Sequence, residues 1–246
     1  MKLGRLPHDP ARVASAPSLA AHRFAAAAPP RAVVDRSGIP FSPGLYQNDS
    51  LPDCTAAGLA NAASAVAWAE QGFQPVIQPA LVVDFYAACI NRPSATDAEL
   101  MATDGAVMLD VLTRQATLGF DVGQQVPLVG LFGTLPLANI PHAIDRLSHA
   151  YLGVTLRERD MDMAALWDVQ DGRDDGAVVG GHCLVAWDYT GLQDGDTVRL
   201  VTWGQFQPAT WPWLRARVDE AYALTWRQNS GVDADTLRAE LDEFTG

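Results

Sequence analysis

Along the chain the spacing of apolar positions changes near residue 150. Between Thr55 and about Gln71, Leu59, Ala62, Ala63 and Val66 recur three and four residues apart, and Gly72 stands where such a run should stop. This spacing predicts a helix. A second helix is predicted after Pro79 (ALVVDFYAACI), a third across GAVMLDVLTRQATLGF and a fourth, shorter one across PHAIDRLSHA, which carries His142 and His149. Each is opened or closed by Pro or Gly. The runs YLGVTL, HCLVAWDYT, TVRLVTW and EAYALTW that follow are short and β-rich, the second and third joined by a loop ending in the turn pair Asp194-Gly195. A helical half over about 45–150 therefore precedes a β half over about 151–228, an α+β order. Residues 1–44, dominated by Ala, Pro and Arg, are predicted to be an arm without a core of its own. Its first 30 residues are expected to bury little against the domain, because Ala and Pro offer little apolar area against the entropy of ordering. Residues 229–246 are predicted to form an acidic, helical tail.

Charge narrows the partners. The 246 residues carry a formal charge of -12, which repels phosphate backbones and anionic bilayers, so neither nucleic acid nor a membrane surface is an expected partner. The odd set Cys54, Cys89 and Cys183 lacks the pattern of a disulfide framework. No stretch has the length of a signal-peptide core or a membrane span. A chain that resides in the cytoplasm, or in a particle assembled there, is expected. No Cys/His group has zinc spacing, and the aspartates of DVQDGRDDG at 168–176 lack the calcium-loop pattern. Neither a metal nor a cofactor is expected.

Two residues carry candidate chemistry. Cys54, in NDSLPDCTAAGLANA, falls at the first position of the first long helix, where unpaired N–H groups and the helix dipole favour a thiolate. Asp53 is predicted to be its N-cap, at the cost of placing a carboxylate beside the thiol and using one of those N–H groups. His182, in VVGGHCLVAWDYTG, follows Gly180 and Gly181, which permit close approach of a ligand or another backbone just before a buried strand.

These motifs resemble the papain-like cysteine peptidases, the C1 family, over roughly residues 30–226. NDSLPDCTAAGLANA is similar to the family's active-site helix and GGHCLVAWDYTG to its histidine strand. VTWG at 201–204 stands where Asn-Ser-Trp-Gly belongs, and DGAVMLDVLTRQATLGF resembles the helix before the crossing between lobes. The order and separation of Cys54 and His182 also agree. The resemblance implies a helical lobe and an antiparallel β lobe with a cleft between them. It puts Cys54 within about 4 Å of a nitrogen of His182, with Trp203 roofing the imidazole. The NlpC/P60 peptidases share an Asp-Cys start but need a nearer histidine. A transglutaminase-like site needs an acid on the next strand, which RLVTW does not offer.

Two departures bear on activity. The family's oxyanion glutamine falls on Asn48, with Gln47 one place off. Its histidine-orienting asparagine falls on Val201, which cannot accept a hydrogen bond, while Gln205 or Gln207 could reach in from the following loop. The sequence thus supports a thiol hydrolase acting on peptide or protein through Cys54 and His182, attenuated at Val201. It also supports a silent papain-fold module whose arm binds assembly partners in a bacterial or phage particle.

Overall fold

The computed structural model describes residues 1–18, 29–123, 130–226, 235–236 and 238–239. Nearly all of the tail expected over 229–246, and residues 19–28 of the arm, lie outside the described residues. After the short helix α1 (Pro10–Ser15) come α2 (Cys54–Gln71), α3 (Pro79–Cys89), α4 (Asp97–Met101) and α5 (Met108–Leu118). Strand β1 (Gly130–Thr134) and α6 (Ile140–Leu147) lead into β2 (Ala150–Arg157), β3 (Val178–Tyr189), β4 (Thr197–Thr202) and β5 (Gln205–Thr210). Helix α7 (Trp211–Arg217) and β6 (Val218–Trp226) follow. The six strands form one antiparallel sheet in the order β1-β6-β2-β3-β4-β5. The helices-then-sheet order is the predicted α+β fold.

Helix α2 is the axis of the molecule. It is buried on every side from Cys54 to Val66, which its alanines permit: a small side chain on each face lets the helix lie close against β3. The contact is tight at Gly58, where a Cβ would come 2.9 Å from the Cys183 sulfur. The Tyr151 hydroxyl donates to the Thr55 carbonyl at 2.6 Å, tying β2 to the first turn. Gly72, at φ 72°, ends the helix in the left-handed conformation its sequence position predicted.

Elsewhere the structure adds to the sequence reading or corrects it. Strands β1 (GLFGT) and β5 (QFQPAT) lacked a clear alternating signal. Both are sheet edges, where glycine and proline are tolerated. His149 lies beyond the end of α6, so His142 and His149 do not share a helix. In the 168–176 loop Asp168 and Asp175 pair with Arg173 at 2.9 and 3.1 Å, and Asp175 also pairs with Arg217 at 2.5 Å. Among the described residues no helix is long and apolar enough to cross a membrane.

The largest correction concerns the arm. Of residues 1–18, Gly4, Arg5, Ala16 and Pro17 are buried while nine others are exposed, so the expectation is corrected at those four positions. The expectation of little burial counted apolar area alone, whereas the arm is held by a paired arginine and by main-chain hydrogen bonds.

Candidate active site

Cys54 is the first residue of α2, as predicted, and is buried. Asp53 does not cap the helix: it has φ -104° and ψ 19° and makes no side-chain cap bond. Its Oδ1 instead accepts from Asn48 Nδ2 at 3.0 Å, and its Oδ2 has no partner among the described residues. Burial pushes its pKa up to about 8, so Asp53 holds its proton at neutral pH. That proton lessens the expected conflict between a carboxylate and the thiol at neutral pH, although the Asp53 charge raises the thiol further where it ionises, and within the first turn the Ala56 N–H donates to the Asp53 carbonyl at 2.9 Å. Asn48, whose Nδ2 also donates to the Leu51 carbonyl at 3.2 Å, lines a small cavity with Cys54, Cys183, Val201, Thr202 and Trp203. Gln47, half-buried at φ 69°, is not among the lining residues. The cavity measures about 10 Å³, roughly the least that holds one water.

His182 lies on β3 opposite Val154 of β2. Its ring stacks on Trp203, with centroids 4.1 Å apart and planes 17° from parallel. Its Nε2 lies 2.6 Å from Thr202 Oγ1, and its Nδ1 has no partner among the described residues. The expectation of an unanchored ring behind Val201 is therefore corrected. Val201 turns into the core, only 1% exposed, and the neighbouring Thr202 supplies the oxygen. Gln207, the reserve candidate, donates instead to the carbonyls of Ala165 and Pro208. With an Nε2–H donating to Thr202, the lone pair lies on Nδ1. Trp203 is roof to this ring as expected, at a left-handed φ of 45°, rare for so bulky a residue.

Both candidate groups are neutral in this geometry. Burial pushes the Cys54 thiol up to about 12 despite backbone hydrogen bonds from Cys183 and Gly4 that favour the thiolate. Burial, reinforced by the charge of Arg5, pushes His182 down to about 3. The predicted thiol–imidazole hydrogen bond is not made. The polar groups that favour the Cys54 thiolate are instead the main chain of Cys183, the residue after His182, and of Gly4 in the arm.

Residues 2–6 cross the site in an extended line. Lys2 N–H donates to the Asn48 carbonyl at 3.3 Å, and Trp203 Nε1 donates to the Lys2 carbonyl at 3.1 Å. Ala106 N–H donates to the Gly4 carbonyl at 2.9 Å, Arg5 N–H to the Gly181 carbonyl at 3.2 Å, and Leu6 N–H to the Ala106 carbonyl at 3.0 Å. The segment thus bonds the helical half at Asn48 and Ala106 and the β half at Gly181 and Trp203. Close approach requires glycines on both surfaces. A Cβ at Gly4 would lie 1.9 Å from the Pro52 oxygen, one at Gly105 1.9 Å from the Gly4 oxygen, and one at Gly181 2.3 Å from the Arg5 oxygen. Gly180, at φ 147°, faces Leu3. Gly181 does admit a backbone, the chain's own at Arg5, while Gly180 meets the Leu3 side chain. Sequence reasoning missed the arm and Thr202. A short polar N-terminal stretch carries no periodic signal, and a threonine one place from the expected asparagine cannot be told from an ordinary strand residue.

No protein-family model matches the chain, and no curated protein matches it in sequence. Solved structures do. Xylellain, a cysteine protease from Xylella fastidiosa, superposes with a TM-score of 0.63 at 14% identity, over 92% of this chain and 96% of that one. A procathepsin B from Trypanosoma congolense gives 0.54 at 10% identity, over 92% and 83%. A cysteine protease from Carica candamarcensis gives 0.53 at 13%, over 80% and 100%. At such identities the likeness establishes the papain-like fold and nothing finer.

Proposed function

We propose that the protein is a papain-like thiol hydrolase of peptides, held in a resting state by residues 2–6 of its own chain. The observation that carries this reading is the state of the His182 ring. It is clamped by Trp203 and Thr202, which line one small cavity with Cys54, and its Nδ1 has no partner among the described residues. His149, also fully buried, likewise leaves one ring nitrogen without a partner among the described residues, so it is the clamp by Trp203 and Thr202 that sets His182 apart.

Once the arm leaves, water enters and the charged forms of both groups become accessible. His182 Nδ1 takes the thiol proton, and the sulfur attacks the scissile carbonyl carbon. The negative oxygen of the tetrahedral intermediate faces the N–H of Cys54 and Asn48 Nδ2, the latter after it turns from Asp53. The imidazolium returns its proton to the leaving amine, giving a Cys54 thioester. His182 then deprotonates the water that hydrolyses it.

The test is intact-mass spectrometry of the full-length Gly4→Ala protein after rapid quench with a peptide ester. The expected result is an acyl adduct that maps to Cys54. An adduct absent at every quench time, with the ester intact, favours the silent-module reading, for which the arm is simply part of the structure.

Two further outcomes separate this site from the one first predicted. In the Gly4→Ala background, Thr202→Val should lower kcat by about 10- to 100-fold with little change in KM, because the ring loses its tautomer-fixing partner. Steady-state kinetics on one peptide ester reads this directly. Val201→Asn should restore nothing. It places an amide where a core valine packs, and a urea melt should show a loss of about 1–3 kcal/mol.

A further inference from the structure

We infer that the pocket holding Arg5 is a specificity pocket for arginine, and that the peptides this site takes carry an arginine beside the bond it acts on. The inference deepens the hydrolase reading and rests on it for the word substrate.

Arg5 follows the residue that lies against the thiol, and its main-chain N–H is fixed by Gly181, next to His182. Its guanidinium is almost wholly enclosed. Nη1 donates to Glu220 Oε1 at 2.7 Å, and Nη2 donates to Asp219 Oδ2 at 2.6 Å and to the Val154 carbonyl at 3.1 Å. Enclosing an arginine is costly unless the receiving groups are already in place, and here they meet both terminal nitrogens, while Nε has no partner among the described residues. Glu220, with a fully buried side chain, also accepts from the Tyr222 hydroxyl at 2.9 Å. Asp219 accepts from Thr155 Oγ1 at 2.7 Å. The room itself is cut by Gly153, where a Cβ would come within 2.5 Å of Glu220 and 2.9 Å of Arg5.

All of these receiving groups belong to β2 and β6, not to the arm. When the arm leaves, the pocket stays built, with two carboxylates that want a cation. Three acceptors spread around the ends of a planar fork suit a guanidinium, whereas an ammonium is a point charge that reaches fewer of them. Arg5 thus occupies the place of a substrate side chain.

The experiment reads binding and turnover separately. The receptor for binding is the full-length Gly4→Ala/Arg5→Ala/Cys54→Ala chain, its fold checked by circular dichroism. The probe is fluorescein-labelled Met-Lys-Leu-Gly-Arg-Leu-Pro-His, compared with the same peptide carrying lysine, citrulline or leucine in place of the arginine. Anisotropy titration should show the arginine peptide binding at least about tenfold tighter than the citrulline peptide, with lysine between them. Glu220→Gln should erase most of that margin. Equal affinities for arginine and citrulline would overturn the inference. If Gly4→Ala prevents folding, Arg5→Ala/Cys54→Ala alone leaves the pocket empty and gives the same comparison. Turnover of arginine and leucine peptide amides is then measured with Cys54 restored. Arginine-selective binding without turnover keeps the pocket and sinks the hydrolase, while turnover without arginine preference does the reverse.

Discussion

Gly4→Ala is expected to raise the rate at which iodoacetamide alkylates Cys54 at pH 7.5 by about a thousandfold. A Cβ at Gly4 would lie 1.9 Å from the main-chain oxygen of Pro52, which has no freedom to move away because the next turn of chain is buried. Residues 2–6 must then leave the groove. With residues 2–6 in place, burial holds the Cys54 thiol at about 12. Exposed to water, it should fall to the ordinary thiol value of about 8.5 or below, which multiplies the thiolate population at pH 7.5 by about 10³. Steric access adds to this. Peptide mapping separates Cys54 from Cys89 and Cys183, and a rate within twofold of the wild type would mean that the arm does not shield the sulfur.

Asp53→Asn should stabilise the protein at pH 8 and leave it unchanged at pH 4. The folded carboxyl is held at about 8, against about 3.9 in the unfolded chain. A group whose folded pKa is raised contributes its full stability below the unfolded value and loses it as the pH rises toward the folded one. Between pH 4 and 8 the loss approaches about 1.4 kcal/mol per pH unit, several kcal/mol in all. Asparagine has the same shape, still accepts from Asn48, and does not titrate. Differential scanning calorimetry at pH 4, 6 and 8 should show a melting-point gain that grows with pH to roughly 10 °C. An equal shift at all three values, or a loss at pH 8, would show that Asp53 is ionised in the fold and partnered in a way the Asn48 bond does not provide.

Much of this architecture was legible because it rests on periodicity and punctuation. The long helix ended by Gly72, the helix after Pro79 and the four β-rich runs all stand where their patterns put them. So do Cys54 at a helix start and Trp203 over His182. What escaped depends on tertiary contacts that leave no local trace. Asp53 looks like an N-cap, yet the fold buries it and turns it toward Asn48, where it keeps its proton. Thr202 differs from any strand threonine only in facing His182. The N-terminal residues read as solvent-exposed because the reading weighed alanine and proline, while the stretch is fixed by one arginine whose carboxylate partners lie more than two hundred residues away.

The most direct test of a competent site beneath a self-blocking arm is hydrolysis of an arginine-containing fluorogenic peptide by three full-length proteins: wild type, Gly4→Ala and Gly4→Ala/Cys54→Ala. The expected result is slow or no turnover by the first, at least about a hundredfold faster turnover by the second, and none by the third. Equal rates in all three, or silence in the second despite a rapidly alkylated Cys54, would contradict it.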